Sequence, residues 1–206
     1  MAIADGLTTT CTNLQSSGGI QTVFIREWNS TGSPDQIATL GTGTITSIAD
    51  SGGSTSTWGV YETKLETPVL SISGASVGNA NTYECTLTFN LPQLDLARRN
   101  SVTDMQGKCL QVMMLDTNGT YFVIGISGTL TGGDGGLDLA AASHIGTRPQ
   151  TFARLSTVEG GTGAAFSEET GLNVTLTCTQ YELPRTYVAA GAAVSINAAG
   201  LVATVS

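Results

Sequence analysis

Between Tyr83 and Gly128 the hydrophobic period changes twice, and few arrangements of a chain accommodate that. Tyr83, Cys85, Leu87 and Phe89 alternate with Glu84, Thr86, Thr88 and Asn90, the signature of a strand with one wet face. The pattern then turns helical, with Leu94, Ala97, Val102 and Met105 on one stripe at three- to four-residue spacing. Asn90 is available as N-cap, Pro92 suits a first turn, and Gly107 suits the left-handed closing position. Together these predict a helix over about 91–106, with Asp95 able to pair with Arg98 or Arg99 on the solvent side. Two strands follow. Asn118-Gly119 between them is a strong hairpin signal, because both residues tolerate positive φ.

The rest of the chain is arranged around this strand–helix–strand–turn–strand unit. Residues 1–19 are short of large apolar groups and read as an arm. Ile20–Trp28 reads as a strand with apolar groups on both faces, Thr22, Phe24 and Trp28 on one and Val23 and Ile25 on the other. Residues 29–36 read as a turn, the run around Ile45 and Ile48 as Thr/Gly-rich, and 49–57 as an exposed loop. Trp58–Lys64 and Thr67–Ser73 read as strands, with Pro68 at a strand start or edge. Within the Gly-rich stretch 129–165, Thr147 and Gln150 have capping-box spacing and Phe152, Leu155 and Val158 share a helical face, so a second short helix is expected there. Leu172–Tyr181 returns to clean alternation, with Leu172, Val174, Leu176 and Cys178 inward. The uncharged tail carries the short strand-like runs VSI and LVATV. No linker separates two core patterns. The expectation is one β-rich domain over 1–206: an N-terminal arm 1–19, a core 20–185 holding the insertion 129–165, and a C-terminal arm 186–206.

Charge decides between classes of function. Charged residues make up 12% of the 206, about half the ~25% of an ordinary soluble domain. A surface this poor in charge points to one that faces other protein, although a secreted β protein with a Ser/Thr-rich exterior has the same composition. The net charge of −8, with eight basic residues in no cluster beyond Arg98-Arg99, argues against gripping nucleic acid. Cys11, Cys85, Cys109 and Cys178 have no metal-ligand spacing. Free thiols made in a cytoplasm are expected, though an even count permits a disulfide. No charged segment followed by an apolar run opens the chain, so no secretory leader or membrane anchor is expected.

Candidate chemistry is sparse. Asp134 and Asp138 in TGGDGGLD resemble calcium-loop carboxylates, but their register is wrong and there is one copy, which favours a flexible loop. Glu168 and Glu169 are adjacent, so on an extended chain they point to opposite faces. His144 has no nucleophile motif to serve. Asn29, Asn118 and Asn173 head glycosylation triplets that carry little weight without a leader. No enzyme, cofactor or metal is expected.

Four blocks, in order, carry a resemblance: GGIQTVFIREW, KLETPVLSISGASVGNANTYECTLTFNLPQLDLARRN, LQVMMLDTNGTYFVIGISGTLTGG and TGAAFSEETGLNVTLTCTQYELPRTYV. The chain resembles the tail-tube type of structural protein in tailed bacteriophages of Bacteroidetes and marine hosts. The resemblance implies a mainly β fold, an antiparallel β-sandwich or barrel with one packed helix, long loops and terminal arms. It also implies a virion protein made in the host cytoplasm that assembles with itself, commonly into hexameric rings stacked as a tube, beside other tail or connector proteins. DNA would pass through without specific binding. Self-association would then draw on Thr9 and Gln15 in the first arm, Ser54 and Thr57 in the 49–57 loop, and Asp134 and Leu137 in the insertion. Val194, Ile196, Leu201 and Val205 would serve in the tail. The acidity would suit a lumen that repels phosphates over about one Debye length of ~8 Å, while solubility alone explains it equally well. Two other roles fit the same residues: a capsid decoration or head–tail connector ring, and a secreted carbohydrate-binding module using Trp28, Trp58 and Tyr61.

Overall fold

The computed structural model of the chain describes residues 19–27, 36–39, 44–49, 58–63, 67–77, 80–125, 136–137, 152–162, 170–180 and 183–188. The large sheet comprises β1 (Ile20–Glu27), β2 (Gln36–Thr39), β3 (Thr44–Ala49), β4 (Gly59–Glu62), β7 (Leu110–Asp116), β8 (Tyr121–Ile124), β9 (Gly136–Leu137) and β12 (Arg185–Tyr187). Its spatial order is β4-β1-β7-β8-β12-β3-β2-β9, antiparallel except where β12 lies parallel to β3. The smaller sheet has the order β10-β11-β6-β5, from β5 (Val69–Val77), β6 (Ala80–Pro92), β10 (Arg154–Gly161) and β11 (Gly171–Gln180). The single described helix, α1, spans Leu96–Asp104.

The two sheets pack face to face as a β-sandwich, and alternation along each strand supplies the core. Val23, Ile25, Val112, Met114 and Ile124 come from the large sheet, and Cys85, Leu87, Phe89, Leu91, Val174, Leu176 and Cys178 from the smaller. Val102 and Met105 extend the same cluster from α1 and the turn that follows it. Each large side chain buried this way contributes about 1.5–3 kcal/mol. The expected period-two runs of Tyr83–Asn90 and of Leu172–Tyr181, the latter as far as Gln180, are therefore real strands. They pair with each other over ten rungs, Gly171↔Pro92 through Gln180↔Tyr83.

β1 is buried on both faces, as its composition requires. It lies between β4 and β7. Val23 and Ile25 face the sandwich core, while Phe24 and Arg26 are buried on the opposite side. There the Arg26 Nε donates to Gln111 Oε1 at 2.7 Å, and its guanidinium lies 5.0 Å from the Trp58 ring centroid. A buried cation is tolerable because both its hydrogen-bonding and its π-facing sides are occupied. Trp58 is itself buried, so it cannot furnish an open carbohydrate groove. Tyr61 is half-buried, with its ring 6.2 Å from that of Phe89. Trp28 lies outside the described residues.

Four expectations need correction. The helix over about 91–106 is shorter, Leu96–Asp104, and its N-cap is Asp95, which accepts the Arg98 N–H at 2.7 Å and pairs with the Arg98 guanidinium. Asn90, Leu91 and Pro92 stay in β6 because β11 continues beside them, with Asn90 Nδ2 donating to Asn173 Oδ1 at 2.8 Å. β5 begins opposite Thr88, so the N–H that Pro92 lacks is missing beyond the last rung of that pair. Gln93, at φ 68, turns the chain out of the sheet. On α1 the forecast stripe holds at Val102 and Met105, but Ala97 is exposed.

The second helix is absent where it can be checked: Arg154–Gly161 is strand β10, so the insertion 129–165 is not one loop. A bulge explains the misreading. Leu155 pairs with Leu176 and Val158 with Val174, so four residues of β10 span three of β11. Apolar residues three apart thereby share a strand face and imitate a helical stripe. The C-terminal arm begins later than residue 186, since Thr186 and Tyr187 belong to β12 and the Val188 N–H reaches Ile45 O at 2.9 Å. The hairpin turn, finally, has positive φ at Gly119 alone. Gly119 N–H donates to Asp116 O and Asp116 N–H to Thr120 O, a type I turn closed by a left-handed glycine.

Candidate self-association surface

The smaller sheet presents two unlike faces. Its outward positions are Thr86, Thr88 and Asn90 on β6, and Asn173, Thr175, Thr177 and Thr179 on β11. They stand in rungs: Thr157, Thr175, Thr88 and Val69 in one, Arg154, Thr177, Thr86 and Ser71 in the next. Thr88 Oγ1 and Thr175 Oγ1 lie 3.4 Å apart. Threonine suits this place twice: its branched Cβ favours the pleat, and its hydroxyl stays hydrated or pairs across the rung. Among the described side chains of this face the charged ones are Glu84, Glu159 and Arg154, all exposed. The face is hydroxyl- and amide-rich with a slight excess of carboxylate.

Its edges are the informative part. Among the described residues neither β5 nor β10 carries a further strand. Both edges leave apolar groups uncovered on the core side. Ile72 is 43% exposed beside Cys85, which is 0% exposed; Val158 is 38% exposed beside Val174, also 0%. Val69, on the outward side of β5, is 57% exposed. Open strands with uncovered core residues invite another chain. Because all three pairings within this sheet are antiparallel, β5 and β10 run in opposite directions. A β5 edge set beside a β10 edge in the same orientation would therefore pair in antiparallel sense.

Of the residues expected to mediate self-association, Leu137 falls in β9 at the edge of the large sheet, its Cα paired with that of Ile37. Thr9, Gln15, Ser54, Thr57, Asp134, Val194, Ile196, Leu201 and Val205 lie outside the described residues, as do Asp138, His144, Glu168 and Glu169. Sequence reading missed Ile72 and Val158 as edge residues. Ile72 falls within the expected strand Thr67–Ser73 and reads there as an ordinary strand residue, and Val158 was hidden by the bulge.

Two cysteines meet inside. Cys85 and Cys178 are opposite each other on β6 and β11, buried, and free, as is Cys109. Contact with Cys85, reinforced by burial, holds the Cys178 thiol well above the ordinary range, which makes it a poor nucleophile. Among the described residues no three His, Cys, Asp or Glu side chains gather as metal ligands, and no helix is long and apolar enough to cross a membrane. Comparison with protein-family models, curated proteins and solved structures finds no match to this chain.

Proposed function

We propose that the chain is a virion structural protein whose copies join through the β5 and β10 edges into rings, and that the rings stack into a phage tail tube for DNA. The observation that carries this reading is the pair of oppositely directed open edges with Ile72 and Val158 uncovered beside them. Edge-to-edge joining satisfies the backbone groups left open and buries those apolar atoms in one step. The low charge content supports the same reading.

For six copies the joined sheet would hold twenty-four strands. At ~4.8 Å per strand, tilted by about 40°, it closes into a wall roughly 45–50 Å across. The hydroxyl-rich face would line the passage, and its few charges would give phosphates nothing to grip. The role is structural and not enzymatic, with other tail or connector proteins as further partners.

Electron microscopy of the purified protein tests the proposal, alongside Ile72→Lys and Val158→Lys. Tubes or stacked rings from the native chain, lost in both variants, are expected. Isolated rings from the native chain would favour a connector or decoration role. A monomer at high concentration that resembles both variants would overturn the assembly.

A further inference from the structure

Asn118 and Gly119 form the tip of the β7–β8 hairpin, and both are exposed. Their order is chemically meaningful. In an Asn-Gly pair the glycine nitrogen, unhindered by a side chain, can attack the Asn Cγ. The N–Cγ bond forms, the Cγ–Nδ2 bond breaks, and ammonia leaves with a proton from solvent. Water then opens the cyclic imide at either carbonyl, to give aspartate or an isoaspartyl linkage.

We propose that Asn118-Gly119 is a modification site of this kind and that Asp116 restrains the reaction in the folded protein. The nucleophile is engaged, since the Gly119 N–H donates to Asp116 O at 3.0 Å. So is the leaving group: Asn118 Nδ2 donates to Asp116 Oδ2 at 3.1 Å, while the Asn118 N–H donates to Asp116 Oδ1. The carboxylate is held on the Asn118 N–H, one residue before the nitrogen that must become anionic, and like charge disfavours that anion. Nothing steric helps to block the tip, because a Cβ built at Gly119 would meet no atom within 4 Å.

The modification matters for what the hairpin holds. The Thr117 N–H donates to Gly19 O at 3.1 Å, so the turn is tied to the start of β1. An isoaspartyl linkage adds a backbone atom to a three-residue loop that is closed by two hydrogen bonds. The Thr117–Gly19 bond is then lost, and the start of β1 is untied from the hairpin.

The test is incubation of the full chain in mildly alkaline buffer, with isoaspartate located by methyltransferase labelling and peptide mapping. Folded and urea-unfolded native protein are compared, together with folded and unfolded Asp116→Ala. Asn118 is expected to react about tenfold more slowly folded than unfolded, the factor associated with one charge-assisted hydrogen bond. Folded Asp116→Ala should recover most of that factor, whereas the substitution should change the unfolded rate little. Equal rates in the folded and unfolded native chain would overturn the restraint, and that comparison needs no variant to fold. An unchanged folded rate in Asp116→Ala would remove Asp116 from it.

Discussion

Leu155 and Val158 face the same side of the smaller sheet although they are three positions apart, because the bulge in β10 sets two residues, Ser156 and Thr157, against the single Thr175 between Leu176 and Val174. Deleting Ser156 should therefore be tolerated. Leu155 and Val158 would stand two apart and still face inward, and stability should change by less than ~1 kcal/mol. Deleting Thr175 from β11 should instead turn Val174 or Leu176 outward and unfold the domain, since a one-residue slip exchanges the two faces. Circular dichroism melts of the two deletions distinguish these outcomes.

Gly119 and Gly125 have nearly the same backbone, φ 79 and φ 83, in different surroundings. A Cβ at Gly119 meets no atom within 4 Å, whereas one at Gly125 would sit 2.6 Å from Leu110 O and 2.9 Å from Ala153 N. Gly119→Ala should cost about 1–2 kcal/mol, the left-handed penalty alone. Gly125→Ala should cost more, roughly 3 kcal/mol or above, because the backbone bridge between Leu110 and Ala153 must also move. Urea titration of each variant gives the comparison.

Arg26→Ala should destabilise by about 3 kcal/mol. It removes the stacked guanidinium from Trp58 and strands the buried Gln111 Oε1. Arg26→Met, which refills the space, should restore part of the loss. The same titration, with Trp fluorescence reporting the ring's exposure, checks both.

Alkali should weaken the fold through tyrosine. Burial, ahead of any neighbouring charge, raises the hydroxyl pKa of Tyr61 and of Tyr187. The folded state thus keeps protons that the unfolded state has released. The contribution is complete below the unfolded value near ~10 and is lost as pH rises from there through the folded value. Tyr61→Phe should flatten that decline, as measured by denaturation midpoints across the alkaline range.

Cysteine reactivity should follow burial. Cys109 is half-buried, while Cys85 and Cys178 are buried. A small alkylating reagent should label Cys109 well before the other two, whose labelling should wait on unfolding. Peptide mapping after timed alkylation reads the order directly.

What the sequence made legible was whatever depended on alternation. Cys85–Phe89 and Val174–Cys178 face the core because two-residue periodicity maps directly onto a sheet with one wet side. The helix was visible but began too early. Asn90 and Pro92 are good helix-start residues locally, and the neighbouring β11 outbid that preference. β10 was unreadable for a different reason, since the bulge that shapes it leaves no mark on composition. The β5 edge was hidden in the same way: Ile72 looks like an ordinary inward residue, and only the absence of a further described strand beyond β5 shows it uncovered.

Among the described residues the smaller sheet has an even number of strands, and this has a consequence for any assembly it builds. Each added copy restores the up–down order with which the previous one began, so three, six or nine units would mesh equally well at every seam. Strand pairing then sets no preferred head-count. That choice would fall to how sharply each unit bends, and the irregular rung in β10 is a natural place for a small change to alter the bend and, with it, the bore.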